Sequence, residues 1–254
     1  MVIVSGRAGG YLAASSMLRK KIFPGNKHLQ VRGTEIQRIE ALSDAVFAFS
    51  VSLLIMSLEV PKTFAELQHT IRDIPPFLAT FSLVFLFWYQ QNAYFRRYGL
   101  QSRRVILLNL ALLAWLLVYI FPLKFLFTIL LSWFTGVNYF SEVAAAGDMV
   151  LAEADFPRLV VFFSAGYCIL WLLFFLLYRH AWQQRILLKL SGYEAQVLRY
   201  EQRDAVFNLL VGAASLFLAW LQLPEASGFP YLLIPVWMLL NYVLMRRRIR
   251  SLPA

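Results

Sequence analysis

Within seven residues, Arg38-Ile39-Glu40-Ala41-Leu42-Ser43-Asp44 sets a guanidinium, carboxylates and a hydroxyl directly before the apolar run from Ala45 to Leu58. An ionisable group at membrane depth costs roughly 2.5–3.5 kcal/mol at a helix centre, so it marks an ion pathway or a fixed partner. Asp44 stands about one and a half helical turns inside this segment and must be paired or hydrogen-bonded there. Arg38 is on a different helical face, which makes a pair within the helix awkward. The spacing points instead to amides of later segments, Gln90, Gln91 or Asn109. On this reading Asp44 locks the helix in place first and meets an ion second.

Other chemistry is sparse. The histidines His28, His69 and His180 are scattered, and none has metal-ligand spacing to another His or to Cys. The sequence holds no Gly-rich phosphate loop, no G-x-S-x-G and no H-E-x-x-H. Glu153 and Asp155 fall in an acidic connection and read as a solvated face. The apolar segments carry amides and hydroxyls such as Asn92, Asn109, Asn208, Asn241, Ser82 and Ser215, which suit hydrogen bonds between helices. Cys168 is the single cysteine, excludes an intrachain disulfide and reads as a core residue. The expectation is a protein that is not an enzyme, with no cofactor and no metal.

The elements that must position these residues are membrane spans. Of 254 residues, 60% are hydrophobic and 15% charged, against about 25% charged in a soluble domain. The apolar residues gather into six runs, near 38–59, 76–97, 104–131, 157–180, 204–223 and 229–246. Each approaches the roughly 20 residues needed to cross a bilayer core, and continuous rather than alternating apolarity favours helices over a barrel. The fold class expected is all-α, a polytopic membrane protein with six transmembrane helices.

Charge sets the expected topology. Lys and Arg crowd the N-terminal arm, the second and fourth connections and the tail. The first, third and fifth connections carry Glu66, Asp73, Glu142, Asp148, Glu153, Asp155 and Glu225 against only Lys62, Arg72 and Arg158. That alternation places both termini in the cytoplasm. The net charge of +10 is accounted for by basic flanks facing anionic lipid, without nucleic acid. Residues 1–35, with Gly9, Gly10, Pro24 and Gly25, read as a disordered cytoplasmic arm rather than a cleaved signal, 36–248 as the membrane domain, and 249–254 as a tail.

On a helical wheel, Arg38, Ala45, Phe49, Ser52 and Met56 fall within about 40° of one line, with Leu53 beside them. Asp44, Val51 and Ile55 lie on another face, about 120° away. Two readings stand. In one, Phe49, Leu53 and Met56 pack against neighbouring helices while Ser52 bonds back to its own helix. In the other, copies of this helix surround an axis, the apolar residues close it by dewetting, and Ser52 offers hydroxyls to an ion. Apolar stripes at this spacing are usually core; the polar set Ser43, Asp44, Ser50, Ser52 and Ser57 on one helix adds slight weight to the second reading, and both stay open.

Arg38-x-x-x-Leu42-Ser43-Asp44, followed by Ala45-Val46-Phe47-Ala48-Phe49, resembles the R-x-x-x-F-S-D signature that opens the first helix of the transmembrane protein 175 family of endosomal/lysosomal potassium channels. Glu59-Val60-Pro61 resembles that helix's exit, Phe87-Trp88-Tyr89-Gln90-Gln91 the family's W-x-H-H stretch, and Asn109-Leu110 with Phe121-Pro122 its third helix. The resemblance covers residues 36–125 in motif detail. It implies a single-repeat prokaryotic channel of six helices, assembled as a homotetramer in the plasma membrane, with potassium as permeant ion. It also implies a gate at Phe49, Leu53 and Met56, a selectivity layer at Ser52, and a structural network of Arg38, Ser43, Asp44, Gln90, Gln91 and Asn109. Gln90 and Gln91 stand where the family has paired histidines, so this site can hydrogen-bond but cannot titrate.

The function expected is therefore a potassium-permeable cation channel. A secondary transporter or a non-conducting membrane scaffold is the alternative. Pro235 offers one helix break of the kind transporters use, without a clear mate. The four residues Asp44-Ala45-Val46-Phe47 recur as Asp204-Ala205-Val206-Phe207, a match short enough to read as coincidence.

Overall fold

Helix follows helix along the chain: α1 (Arg38–Met56), α2 (Phe64–Arg72), α3 (Ile74–Tyr98), α4 (Arg103–Thr135), α5 (Phe156–Gln183), α6 (Gly192–Trp220), a 3-10 turn (Ala226–Leu232) and α7 (Leu233–Arg250). The computed structural model describes residues 32–33, 36–58, 60–137, 139–140, 155–221, 223 and 226–250, and no strand occurs among them. Five helices are long and apolar enough to cross a membrane, or six if α2 and α3, bent by 41° to each other, make one broken span. The protein is an all-α, multi-pass membrane protein.

Local chemistry fixes the helix ends. Pro75 and Pro76 occupy the first positions of α3, where a missing N–H costs nothing. Ser102 caps α4, its Oγ accepting from Val105 N–H. Ser191 and Glu194 form a reciprocal capping box on α6. That box explains why α6 begins at Gly192 and not near 204: the helix carries Arg199, Glu201, Arg203 and Asp204 in its first turns, which hydropathy reads as a connection. The amphipathic α2 likewise lies in a connection that the apolar runs leave blank. Of residues 1–35 only 32 and 33 are described, so the expected disorder of the arm lies outside the described residues, as do Glu142, Asp148, Glu153 and the last four residues.

The core runs down the middle of the bundle. Leu112, Leu116, Tyr119, Ile120 and Leu123 of α4 are buried, and Phe87 of α3 contacts the rings of Trp171 and Phe174 of α5. α4 and α5 approach closely at Gly166, where a Cβ would fall inside the Tyr119 ring. The Tyr119 hydroxyl donates to Phe163 O at 2.8 Å beside this contact. α5 and α6 make the most extensive helix pair, while α1 packs on α3 and α4 at the bundle's edge. The α7 span is the most exposed, with 6% of its residues buried.

α1 and α4 start from the same side and run parallel. Ser43, Ser50 and Ser57 recur every seven residues along the α1 face that meets α4. Small hydroxyl residues let helices approach closely in a membrane, and each of these back-bonds to its own helix.

Candidate functional site

α1 divides into two sides. Glu40, Ser43, Phe47, Ser50 and Leu54 are buried against the rest of the chain. The opposite side carries the wheel's stripe: Arg38, Ala45, Phe49, Ser52 and Met56 are all exposed, and Leu53 is half-buried at its margin. Phe49 is 56% exposed and Met56 78%. Within the described part of one chain, Phe49, Ser52 and Met56 are left open. Phe49 and Met56 project away from α3 and α4, because the α1 core face is centred more than a quarter-turn from them. The back-bond expected of Ser52 is present, its Oγ donating to Ala48 O at 3.0 Å. A hydroxyl whose proton is used this way still offers lone pairs outward.

The set of serines that favoured a pathway also divides. Ser43, Ser50 and Ser57 serve the α1–α4 seam, and of the five polar residues Ser52 and Asp44 remain on exposed positions.

Asp44 takes a partner the sequence reading did not name. Trp88 Nε1 of α3 donates to Asp44 Oδ1 at 2.8 Å. Gln91 and Asn109 bond elsewhere: Gln91 Nε2 donates to Asn109 Oδ1 at 2.9 Å, and Asn109 Nδ2 donates to Ser43 Oγ at 2.9 Å. Gln90 joins neither group, and its buried Oε1 finds no hydrogen-bond partner among the described residues. The physical reason is a single residue's rotation. Successive residues on a helix are turned by about 100°, so when Ser43 faces α4, Asp44 must face α3. The signature network is thus two separate locks, Ser43–Asn109–Gln91 in the core and Asp44–Trp88 at the surface.

The core lock is testable. Asn109→Leu strands the Gln91 amide away from water and should lower stability by about 1–2 kcal/mol, read as a fall in the thermal midpoint in detergent. Converting Gln91 to Leu as well removes both ends of the bond and should recover much of that loss. A double variant as unstable as the sum of the single ones would refute this account.

The bonding of Asp44 is repeated at the sequence echo. Asp204 of α6 accepts from Trp237 Nε1 of α7 at 2.8 Å and from Asn241 Nδ2. In both places an Asp at the start of D-A-V-F holds an indole from a packed helix, and the Trp is followed four residues on by Asn, Asn92 or Asn241.

Two cations outside the signature network make anchoring contacts on either side of α1. Before its start, the Arg32 guanidinium donates to both Glu194 carboxylate oxygens at 2.8 Å and to Leu188 O at 3.0 Å. The Arg32 and Gly33 backbone N–H groups both donate to Arg96 O. At its far end, Lys124 Nζ of α4 donates to Ser57 O at 3.0 Å and to Ser57 Oγ at 2.8 Å. Lys124 could have been found in the sequence as the lone charge inside the third apolar run. Arg32 sits in the arm and carries no signal of its own.

Among the described residues no three His, Cys, Asp or Glu side chains gather as a metal site. What the geometry defines is an integral membrane bundle in which α1 packs on α3 and α4 by one side and leaves the other exposed. The family model described as endosomal/lysosomal potassium channel TMEM175 matches residues 38–122, the stretch that contains α1, α2, α3 and the first part of α4. A protein of Marivirga tractuosa named "Potassium channel" is 32% identical over 238 residues, 89% of this chain and 95% of its own length. The crystal structure of a variant of the potassium channel MtTMEM175, in complex with a nanobody–MBP fusion protein, matches with a TM-score of 0.75 and 31% identity. The match covers 87% of this chain and 98% of that one. This chain belongs to the TMEM175 family.

Proposed function

We propose that the chain is a potassium-permeable cation channel that assembles as a homotetramer around α1, in a prokaryotic plasma membrane with both termini cytoplasmic. The observation that carries this reading is the exposed stripe of α1. A helix of 19 residues, about 28 Å long, matches the bilayer core, and it presents Phe49, Ser52 and Met56 outside the chain's own core. One helix is one wall. Closing it into a pathway takes further copies, and cyclic symmetry brings the same face of each to the axis. Ala41, Ala45 and Ala48 on the exposed side give neighbouring helices room to approach.

In such an assembly Phe49, Leu53 and Met56 form the constriction, which closes by excluding water from an apolar neck. Ser52, between Phe49 and Leu53, supplies a ring of hydroxyl oxygens for a partly dehydrated cation. Arg38 stands at the cytoplasmic mouth. Ser43, Asp44, Gln91 and Asn109, with Trp88, hold the helix at the angle that turns the stripe inward. Potassium is the permeant ion on the strength of what the family and the Marivirga relative are named for.

The test is flux from purified protein in liposomes, potassium against sodium, with oligomeric mass measured on the same preparation. Potassium flux from a tetramer supports the reading. A monomer that moves potassium only when exchanged against a second solute would replace it with a transporter, and pure tetramer without flux would replace it with a scaffold.

A further inference from the structure

Lys124 is an unusual residue for its position. It lies 21 residues beyond Arg103 in α4, about 30 Å along a helix that begins at a basic connection. That distance equals the thickness of the hydrocarbon core, so the ammonium reaches the opposite interface, where a long lysine stem can carry it to water. Here it turns inward to α1 instead. Its two bonds go to the carbonyl and hydroxyl of Ser57, the residue that ends α1.

The register of the α1–α4 seam shows what is special about this contact. Ser43 meets Asn109 at one end of the seam, and Ser57 meets Lys124 at the other. The first contact uses a neutral amide. The second uses a cation, at the helix end where carbonyl groups are left unpaired and the macrodipole is negative. A neutral donor could satisfy the hydroxyl as well, but only a cation also opposes that negative end. Met56 directly precedes Ser57, and Leu53 lies one turn earlier, so the capped turn is the one that carries the far half of the stripe.

We propose that Lys124 is a positioning residue for conduction: by capping the C-terminal end of α1 through Ser57, its ammonium fixes where Leu53 and Met56 stand on the ion path. This rests on the reading of α1 as the pore wall. Lys124 itself need not touch an ion. It lies beyond residues 38–122, the stretch that the family match covers.

The experiment compares potassium and sodium flux for the parent, Lys124→Met, Lys124→Arg and Ser57→Ala in liposomes, with Met56→Ala alongside as a probe of the pore wall. Lys124→Met is expected to change the flux, or the potassium-to-sodium ratio, by about threefold or more, with oligomeric mass unchanged. Lys124→Arg keeps the charge and should restore the parent's ratio. Ser57→Ala leaves the backbone acceptor and should shift the same quantity in the same direction by less. If Met56→Ala alters conduction while Lys124→Met and Ser57→Ala behave as the parent, the role of Lys124 is overturned and the pore wall stands. If Met56→Ala, Phe49→Ala and Ser52→Ala are all silent, the pore wall falls and this inference with it. Should Lys124→Met not fold, Ser57→Ala decides: parental flux and ratio overturn the proposal.

Discussion

Phe49→Ala is expected to raise potassium flux through reconstituted protein by about tenfold, the change that follows from lowering a barrier by about 1.4 kcal/mol. In the proposed tetramer, four phenyl rings at one level would make an apolar neck that water leaves, and an ion crossing it would shed hydration with nothing in exchange. Alanine removes the ring from each copy and lets the neck wet. The fold should tolerate the change, because Phe49 is 56% exposed and fills no cavity in the chain's core. Stability should therefore move far less than flux, which separates loss of a gate from loss of structure. Ser52→Ala should leave flux through a Phe49→Ala background high while reducing the preference for potassium over sodium, since the hydroxyl layer is gone and the opening is not. Potassium efflux from vesicles against an ionophore-calibrated total measures the first. Reversal potential in planar bilayers under mixed salts measures the second. Parental flux in Phe49→Ala, Ser52→Ala and Met56→Ala together would show that α1 does not line the path.

Sequence alone placed the spans and the stripe because both are one-dimensional properties. Apolar runs near 20 residues specify membrane helices whatever their neighbours, and a 100° rotation per residue sorts one helix into faces without knowledge of the others. The pairings were harder. Asp44 and Ser43 are adjacent in sequence and point to different helices, so Asn109 and Gln91 line up on Ser43, while Asp44 meets the single N–H donor of the Trp88 indole. Charges that hold the bundle from its ends were missed for opposite reasons. Lys124 was averaged away inside an apolar run, and Arg32 was grouped with basic residues whose expected role was to face lipid. Likewise α6 starts where a capping box allows, earlier than its apolar part. Hydropathy reports what a helix faces, and capping and ion pairs report where it begins and what it holds.

Arg32→Ala is expected to be the most destabilising single change outside the core. Glu194 is 3% exposed and Arg32 16%, and the two side chains form a two-pronged pair with both oxygens engaged. Removing the cation leaves a carboxylate with little water. Breaking a buried pair from one side costs about 3–5 kcal/mol, and the partial exposure of Arg32 sets the expectation at the lower end of that range. Glu194 cannot simply swing out, because its Oε2 also accepts from Ser191 N–H at 2.9 Å as part of the cap that starts α6. The loss thus falls on two structures at once, the α5–α6 turn and the chain segment leading into α1. Arg32→Lys should recover part of it, since an ammonium keeps the charge but cannot fork to both oxygens and reach Leu188 O as well. Glu194→Gln should be milder than Arg32→Ala. It keeps an acceptor for Ser191 N–H and leaves the guanidinium at the backbone carbonyl of Leu188. Thermal unfolding in detergent of the parent, Arg32→Ala, Glu194→Gln and the double variant closes a cycle. A coupling of about 1–3 kcal/mol is expected for side chains in direct contact. Additive losses would mean that the pair does not act as a unit, and that α1 is held at its N-terminal end by the Arg96 carbonyl and its neighbours alone.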